Sequence, residues 1–142
     1  MKGRGLQTMI RLQRWQLDEL RRQIAPLELE RAKLMDHGRT LLETLHRENQ
    51  AASADYTDVE MLNNYRERVQ VEQVRIADRV SEIEQAIDQL RERMAAAFQD
   101  VKKYEITEEQ RLQAHRRELD KKEQERLDEV ALNGHRRRSG GA

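Results

Sequence analysis

Two apolar seams with heptad spacing constrain this chain more than any other feature. Positions 6, 10, 13, 17, 20, 24, 27, 31, 34, 38, 41 and 45 follow alternating steps of four and three. Nine of these twelve are Leu or Ile, and Gln13, Arg31 and Gly38 are the exceptions. A second register runs through 69, 73, 76, 80, 83, 87, 90, 94, 97, 101 and 104. Ten of its eleven positions are apolar or aromatic, with Gln73 the exception. Stripes this narrow, flanked by charge, are coiled-coil seams. They also resolve what composition leaves open. With 38% charged residues against 37% apolar, the chain cannot enclose a thick core, so it must be disordered or build helices that each bury one stripe. The periodicity selects helices.

The link between the seams is read at residues 50–56, after the polar run Asn49-Gln50-Ala51-Ala52-Ser53-Ala54-Asp55. Helix 1 is expected over about 6–49 and helix 2 over about 57–133. Thr57 and Glu60 form a capping box, with Tyr56 and Met61 placed for a hydrophobic staple. Asn133-Gly134 reads as a helix stop before a basic tail over 134–142. Two helices with so short a link must run antiparallel. The expected fold is therefore all-α: one domain, 1–142, forming a long antiparallel two-helix coiled-coil hairpin. Folding about residue 53 puts Leu6 opposite roughly position 100, which leaves a C-terminal helical overhang of some thirty residues, about 45 Å long. The pattern changes there. After Tyr104 the seam loses its phase, and 17 of the 29 residues from Lys102 to Val130 are charged. Pro26 removes a backbone donor inside helix 1 and is expected to kink it. Thr107 and Gln110 resemble a second capping box, with a bend near Ile106.

Little here can carry chemistry. Lys plus Arg and Asp plus Glu number 27 each, so net charge selects no partner. Without cysteine there is neither a disulfide framework nor a thiolate ligand. His37, His46, His115 and His135 never fall at i, i+3 or i+4, as helix-borne metal ligands would. No glycine-rich phosphate loop is present. Mixed runs such as Asp120-Lys121-Lys122-Glu123 read as a solvated face, and two helices offer no dry pocket to shift a carboxylate pKa. No catalytic residue, cofactor or metal is expected, so function must lie in binding. No apolar run approaches the roughly 20 residues of a membrane span, and the opening MKGRGLQTMIRLQR lacks the apolar block of a signal peptide. Trp15, the one tryptophan, lies off the seam. It either covers the seam's flank or anchors a partner. Arg11 and Arg14 belong to a basic cluster before the first acid. The basic ends also fit a polyanion, but no fold that reads a nucleic-acid groove accompanies them.

The stretch Leu6-Gln7-Thr8-Met9-Ile10-Arg11-Leu12-Gln13-Arg14-Trp15-Gln16-Leu17-Asp18-Glu19 resembles the opening of flagellar export proteins of the FliJ type, in their alphaproteobacterial form. Val101-Lys102-Lys103-Tyr104-Glu105-Ile106 and Leu127-Asp128-Glu129-Val130-Ala131 resemble two further stretches of that family. The likeness covers about the whole chain, although its motifs are short. It implies a cytoplasmic, non-catalytic part of the flagellar type III export machine, peripheral at the inner face of the cell membrane. The expected form is an antiparallel coiled coil similar to the central stalk of rotary ATP synthases, monomeric when free. Its implied partners are the hexameric export ATPase, the export gate membrane protein and substrate chaperones. Combined with the overhang, this makes Trp15, Arg11, Arg14, Leu112, Leu119, Arg126 and Leu127 the candidate partner-binding residues. The alternative from another class is a structural scaffold or adaptor unrelated to export, which would dimerise through the overhang.

Overall fold

The computed structural model describes residues 3–140. Two helices account for nearly all of them: α1 over Gly3–Ala51 and α2 over Tyr56–Gly140, linked by residues 52–55. The chain divides into two compact units. One comprises residues 15–97, the other residues 1–14 with 98–142.

In the unit of residues 15–97, α1 and α2 pack side by side and antiparallel. Every predicted seam position in this span is buried or half-buried, including the polar exceptions Arg31 and Gln73. The centre is Ile24 against Ile83 and Ile87, with Leu27, Leu34, Leu90 and Met94 packed around it. Ile83 and Ile87 are each only 1% exposed. One β-branched side chain per turn fills the seam, and the stiffness of its χ1 costs little rotamer entropy on burial. Exposed pairs bracket the seam: Glu30 accepts from Arg79 at 2.9 and 3.1 Å, and Glu28 from Arg91 at 3.2 Å.

The turn departs from expectation in three ways. The link is shorter, and α2 begins at Tyr56. Its first helical bond runs from the Val59 N–H to the Asp55 carbonyl at 3.0 Å, which makes Asp55 the N-cap residue rather than Thr57. Ser53 supports this start: its hydroxyl accepts from the Asp55 N–H at 3.3 Å and donates to the Asp58 carboxylate. Asp58 in turn places a negative charge at the positive end of the helix dipole. The Tyr56–Met61 staple is not formed, because Tyr56 is 79% and Met61 65% exposed.

Pro26 and Thr107 both lie inside continuous helices. Pro26 sits within continuous α1 and is exposed, as is Arg22, whose carbonyl it deprives of a donor. Thr107 is an interior residue of α2 and no cap: its hydroxyl donates back to the Lys103 carbonyl at 2.8 Å. The stop at Asn133-Gly134 is also unused. α2 continues to Gly140, and no glycine among the described residues has a positive φ, so Gly134 does not make the left-handed cap that ends many helices.

In the other unit, residues 3–14 of α1 lie along α2. Leu6 (3% exposed) and Val101 (5%) are its buried residues. The register differs from folding about residue 53. A Cβ on Gly3 would come within 2.5 Å of the Arg111 guanidinium, so α1 covers α2 several residues farther than the expected Leu6–position 100 pairing allows. The half-buried Glu108 is the last covered residue before a long exposed stretch.

Candidate partner-binding surface

From Glu109 to Gly140 every residue of α2 is exposed except Gly134, which is half-exposed. The stretch is nevertheless helical throughout. Its side chains explain how a helix without a neighbour is supported. Arg111 bonds Glu108 at 2.8 Å, Arg126 bonds Glu123 at 3.0 Å, and Gln124 donates to Asp128 at 3.2 Å, all three or four residues apart. Each such pair adds a few tenths of a kcal/mol to a helix. The Arg111 guanidinium also holds the Glu108 carboxyl below the usual carboxylate range.

The apolar residues of this stretch form a broken stripe. Leu112, Leu119 and Val130 recur at spacings of seven and eleven, and so stay on the helix face that carries Val101 and Glu108. They are 43%, 52% and 62% exposed. Arg116, Glu123 and Arg126 interrupt the stripe, and Leu127 flanks it. The face that α1 covers up to Glu108 thus continues, uncovered, as a surface of alternating leucines and charges.

Six of the seven sequence-predicted residues belong to this unit. Arg11 and Arg14 are exposed on α1, and Arg14 bonds Glu105 at 2.8 Å across to α2. Leu112, Leu119, Arg126 and Leu127 lie on the uncovered stretch, with Arg126 engaged by Glu123. Trp15 belongs to the unit of residues 15–97. It is 59% exposed and lines a groove there with Leu20, Gln23, Arg93 and Ala97. It flanks the seam without being covered by it. Among the exposed apolar residues that escaped the sequence reading, two stand close to the covered part of α2. Phe98 is 53% exposed with the Lys102 ammonium 5.2 Å from its ring centroid, and Ile106 is 54% exposed. Phe98 stands one position off the seam beside Ala97, as Trp15 stands off its own seam, and that offset was the available signal.

Among the described residues no group of three or more His, Asp or Glu side chains could hold a metal, and no helix is long and apolar enough to cross a membrane. The surface can bind through mixed charge and scattered apolar contacts. A family model described as "Flagellar FliJ protein" matches residues 1–140. No curated protein and no solved structure matches the chain.

Proposed function

The chain belongs to the FliJ family of flagellar proteins, components of the flagellar protein export apparatus, and from that premise we propose that it binds the export ATPase ring through the uncovered stretch of α2 and activates it without catalysing. The observation that carries this reading is the helix of residues 109–140, which persists with no neighbour along it. A single helix with its side chains is about 10–12 Å across and can enter the central hole of a ring. Its mixed charges form weak exposed pairs, each worth under about 1 kcal/mol, which can exchange between equivalent subunits instead of locking onto one. The interrupted stripe of Leu112 and Leu119, with Leu127 at its flank, adds apolar area to bury on docking. Arg11, Arg14, Arg126 and Trp15 complete the proposed contact set.

The same reading includes contact with the export gate membrane protein and the escort of substrate chaperones. It places the chain in the cytoplasm, peripheral to the membrane at the flagellar base. As one domain, monomeric when free, it keeps the uncovered stretch available to other proteins.

Truncation after Arg111 tests the proposal. The shortened chain should retain the packed helices but lose stimulation of ATP turnover by the cognate ATPase. If it stimulates as well as the full chain, the contact lies elsewhere. If neither form binds the ring, the proposed partnership is wrong.

A further inference from the structure

The last three turns of α2 carry a charge pattern unlike the rest of the uncovered stretch. Up to Glu129 bases and acids alternate within a turn, and pairs such as Arg126–Glu123 neutralise each other. From Val130 to Gly140 no acid occurs, while His135, Arg136, Arg137 and Arg138 follow in succession. All four are exposed, and no ion pair engages any of them among the described residues. Because α2 continues through this segment, three consecutive arginines 100° apart spread the charge over more than half of the circumference. The result is a basic collar.

Neutralisation of the helix dipole does not account for it. The C-terminus of a helix presents about half a negative elementary charge, and three arginines exceed that several-fold. Nor is the collar's neighbourhood purely polar. Val130 is 62% and Leu132 51% exposed in the two turns before it. Against a nucleic-acid backbone these side chains would gain nothing, and no exposed aromatic stands among them to stack on bases. They lie about 200° apart on the helix, so whichever of the two faces a bilayer surface can enter the boundary between headgroups and acyl chains while the arginines stay with the phosphates.

We propose that residues 130–138 form a reversible docking element for an anionic lipid bilayer. A basic side chain near such a surface raises partitioning about fivefold, so three arginines give roughly a hundredfold. That is enough for transient attachment and too little for a permanent anchor. The proposal rests on the charge and exposure of this segment and does not require the ATPase partnership.

Vesicle sedimentation with the full chain tests it without any flagellar partner. In roughly 0.1 M salt the chain should sediment with phosphatidylcholine vesicles containing about a third phosphatidylglycerol, and not with pure phosphatidylcholine. Replacing Arg136, Arg137 and Arg138 together by Gln should lower partitioning by roughly two orders of magnitude. The variant Val130→Ser with Leu132→Ser, unchanged in charge, should lower it severalfold. All substituted side chains are exposed, and circular dichroism should show helix content unchanged. Absence of binding to the anionic vesicles, or binding that survives loss of the arginines, overturns the proposal. It is equally overturned if the serine variant binds undiminished and a DNA duplex of matched phosphate concentration strips the chain from vesicles, because the collar is then a general polyanion site.

Discussion

The side-chain amide of Gln73 donates a 2.7 Å hydrogen bond to the backbone carbonyl of Gly38, so two of the seams' exceptions meet each other across the helix pair. Each explains the other. Gly38 has no side chain, which lets the Gln73 amide reach a carbonyl inside α1. A Cβ on Gly38 would lie 3.3 Å from the Gln73 Oε1 and 3.8 Å from the Ile76 Cδ1. The carbonyl's second lone pair accepts the bond without loss of the helical one. A polar layer of this kind costs stability relative to an apolar one and fixes register, because any slip leaves the amide unpaired.

That relationship predicts non-additive mutations. Gly38→Ala should change stability by no more than about 0.5 kcal/mol: the gain of about 1 kcal/mol in helix propensity is offset by loss of a hydrogen bond worth a similar amount. Combining it with Gln73→Leu restores an unbroken apolar seam. The double variant should be more stable than the native chain by about 1–2 kcal/mol, exceeding the sum of the single effects. Urea denaturation of the four proteins measures this. A double variant less stable than either single one would show that the layer contributes through packing rather than specificity.

The seam's centre gives a harsher test. Ile83→Asp places a carboxylate where the native side chain is 1% exposed, against Ile24 and Ile87. Loss of apolar burial costs about 2–3 kcal/mol and the unpaired polar group several more, a large share of the 5–15 kcal/mol typical of a folded domain. The control Ile83→Val should cost only about 0.5–1.5 kcal/mol. Thermal melting should show the first variant largely unfolded at room temperature and the second shifted by a few degrees. Equal melting of the two would mean that Ile83 is not in the core.

The two seams were legible because burial in a coiled coil depends on spacing alone. All twelve positions of the first and all eleven of the second are buried or half-buried, Gln13 and Arg31 included. Helix ends were less legible because capping is a competition between adjacent residues. Asp55 takes the cap from Thr57, supported by Ser53, which no spacing rule singled out. The extension past Gly134 was missed because an Asn-Gly pair ends a helix only when the glycine turns left-handed, and Gly134 does not. The candidate surface was legible as a loss of phase after Tyr104, and that stretch proves uncovered from Glu109. What the sequence could not give was how far α1 reaches along α2, because that depends on the geometry of the turn. The individual partner contacts depend on a second molecule and so leave no periodic mark.

Acid should weaken the hairpin of residues 15–97 through the Glu30–Arg79 pair. The hydrogen bonds from Arg79, followed by its charge, hold the Glu30 carboxyl below the usual carboxylate range. A carboxylate with a lowered folded-state pKa contributes stability above its unfolded value, near pH 4.5, and loses it as pH falls through the folded value. The melting temperature should therefore be flat between roughly pH 6 and 8 and decline below about pH 5. Glu30→Gln should make that decline shallower and leave neutral pH almost untouched, because the pair is exposed and screened. High salt should reduce the difference between the two proteins. An equally steep acid limb in the variant would assign the effect to other carboxylates.

Hydrogen exchange should locate the end of α1's cover along α2. An isolated helix in water is marginal, so amides from Leu112 to Gly140 should exchange through local fraying despite intact helical bonds. Those from Val69 to Val101 open only with the packed seam, and should exchange at least about a thousandfold more slowly if its stability exceeds roughly 4 kcal/mol. The step is the informative quantity. Folding about residue 53 would place it near position 100. The contact of Gly3 with Arg111 and the half-burial of Glu108 place it between Glu108 and Leu112. Arg14→Ala, which removes the bond to Glu105, should speed exchange in the turns around Glu105 and leave Val69 to Ala97 unchanged. Slow exchange continuing past Leu119 would mean that a second molecule covers the stretch, and sedimentation velocity at the same concentration would then show a dimer.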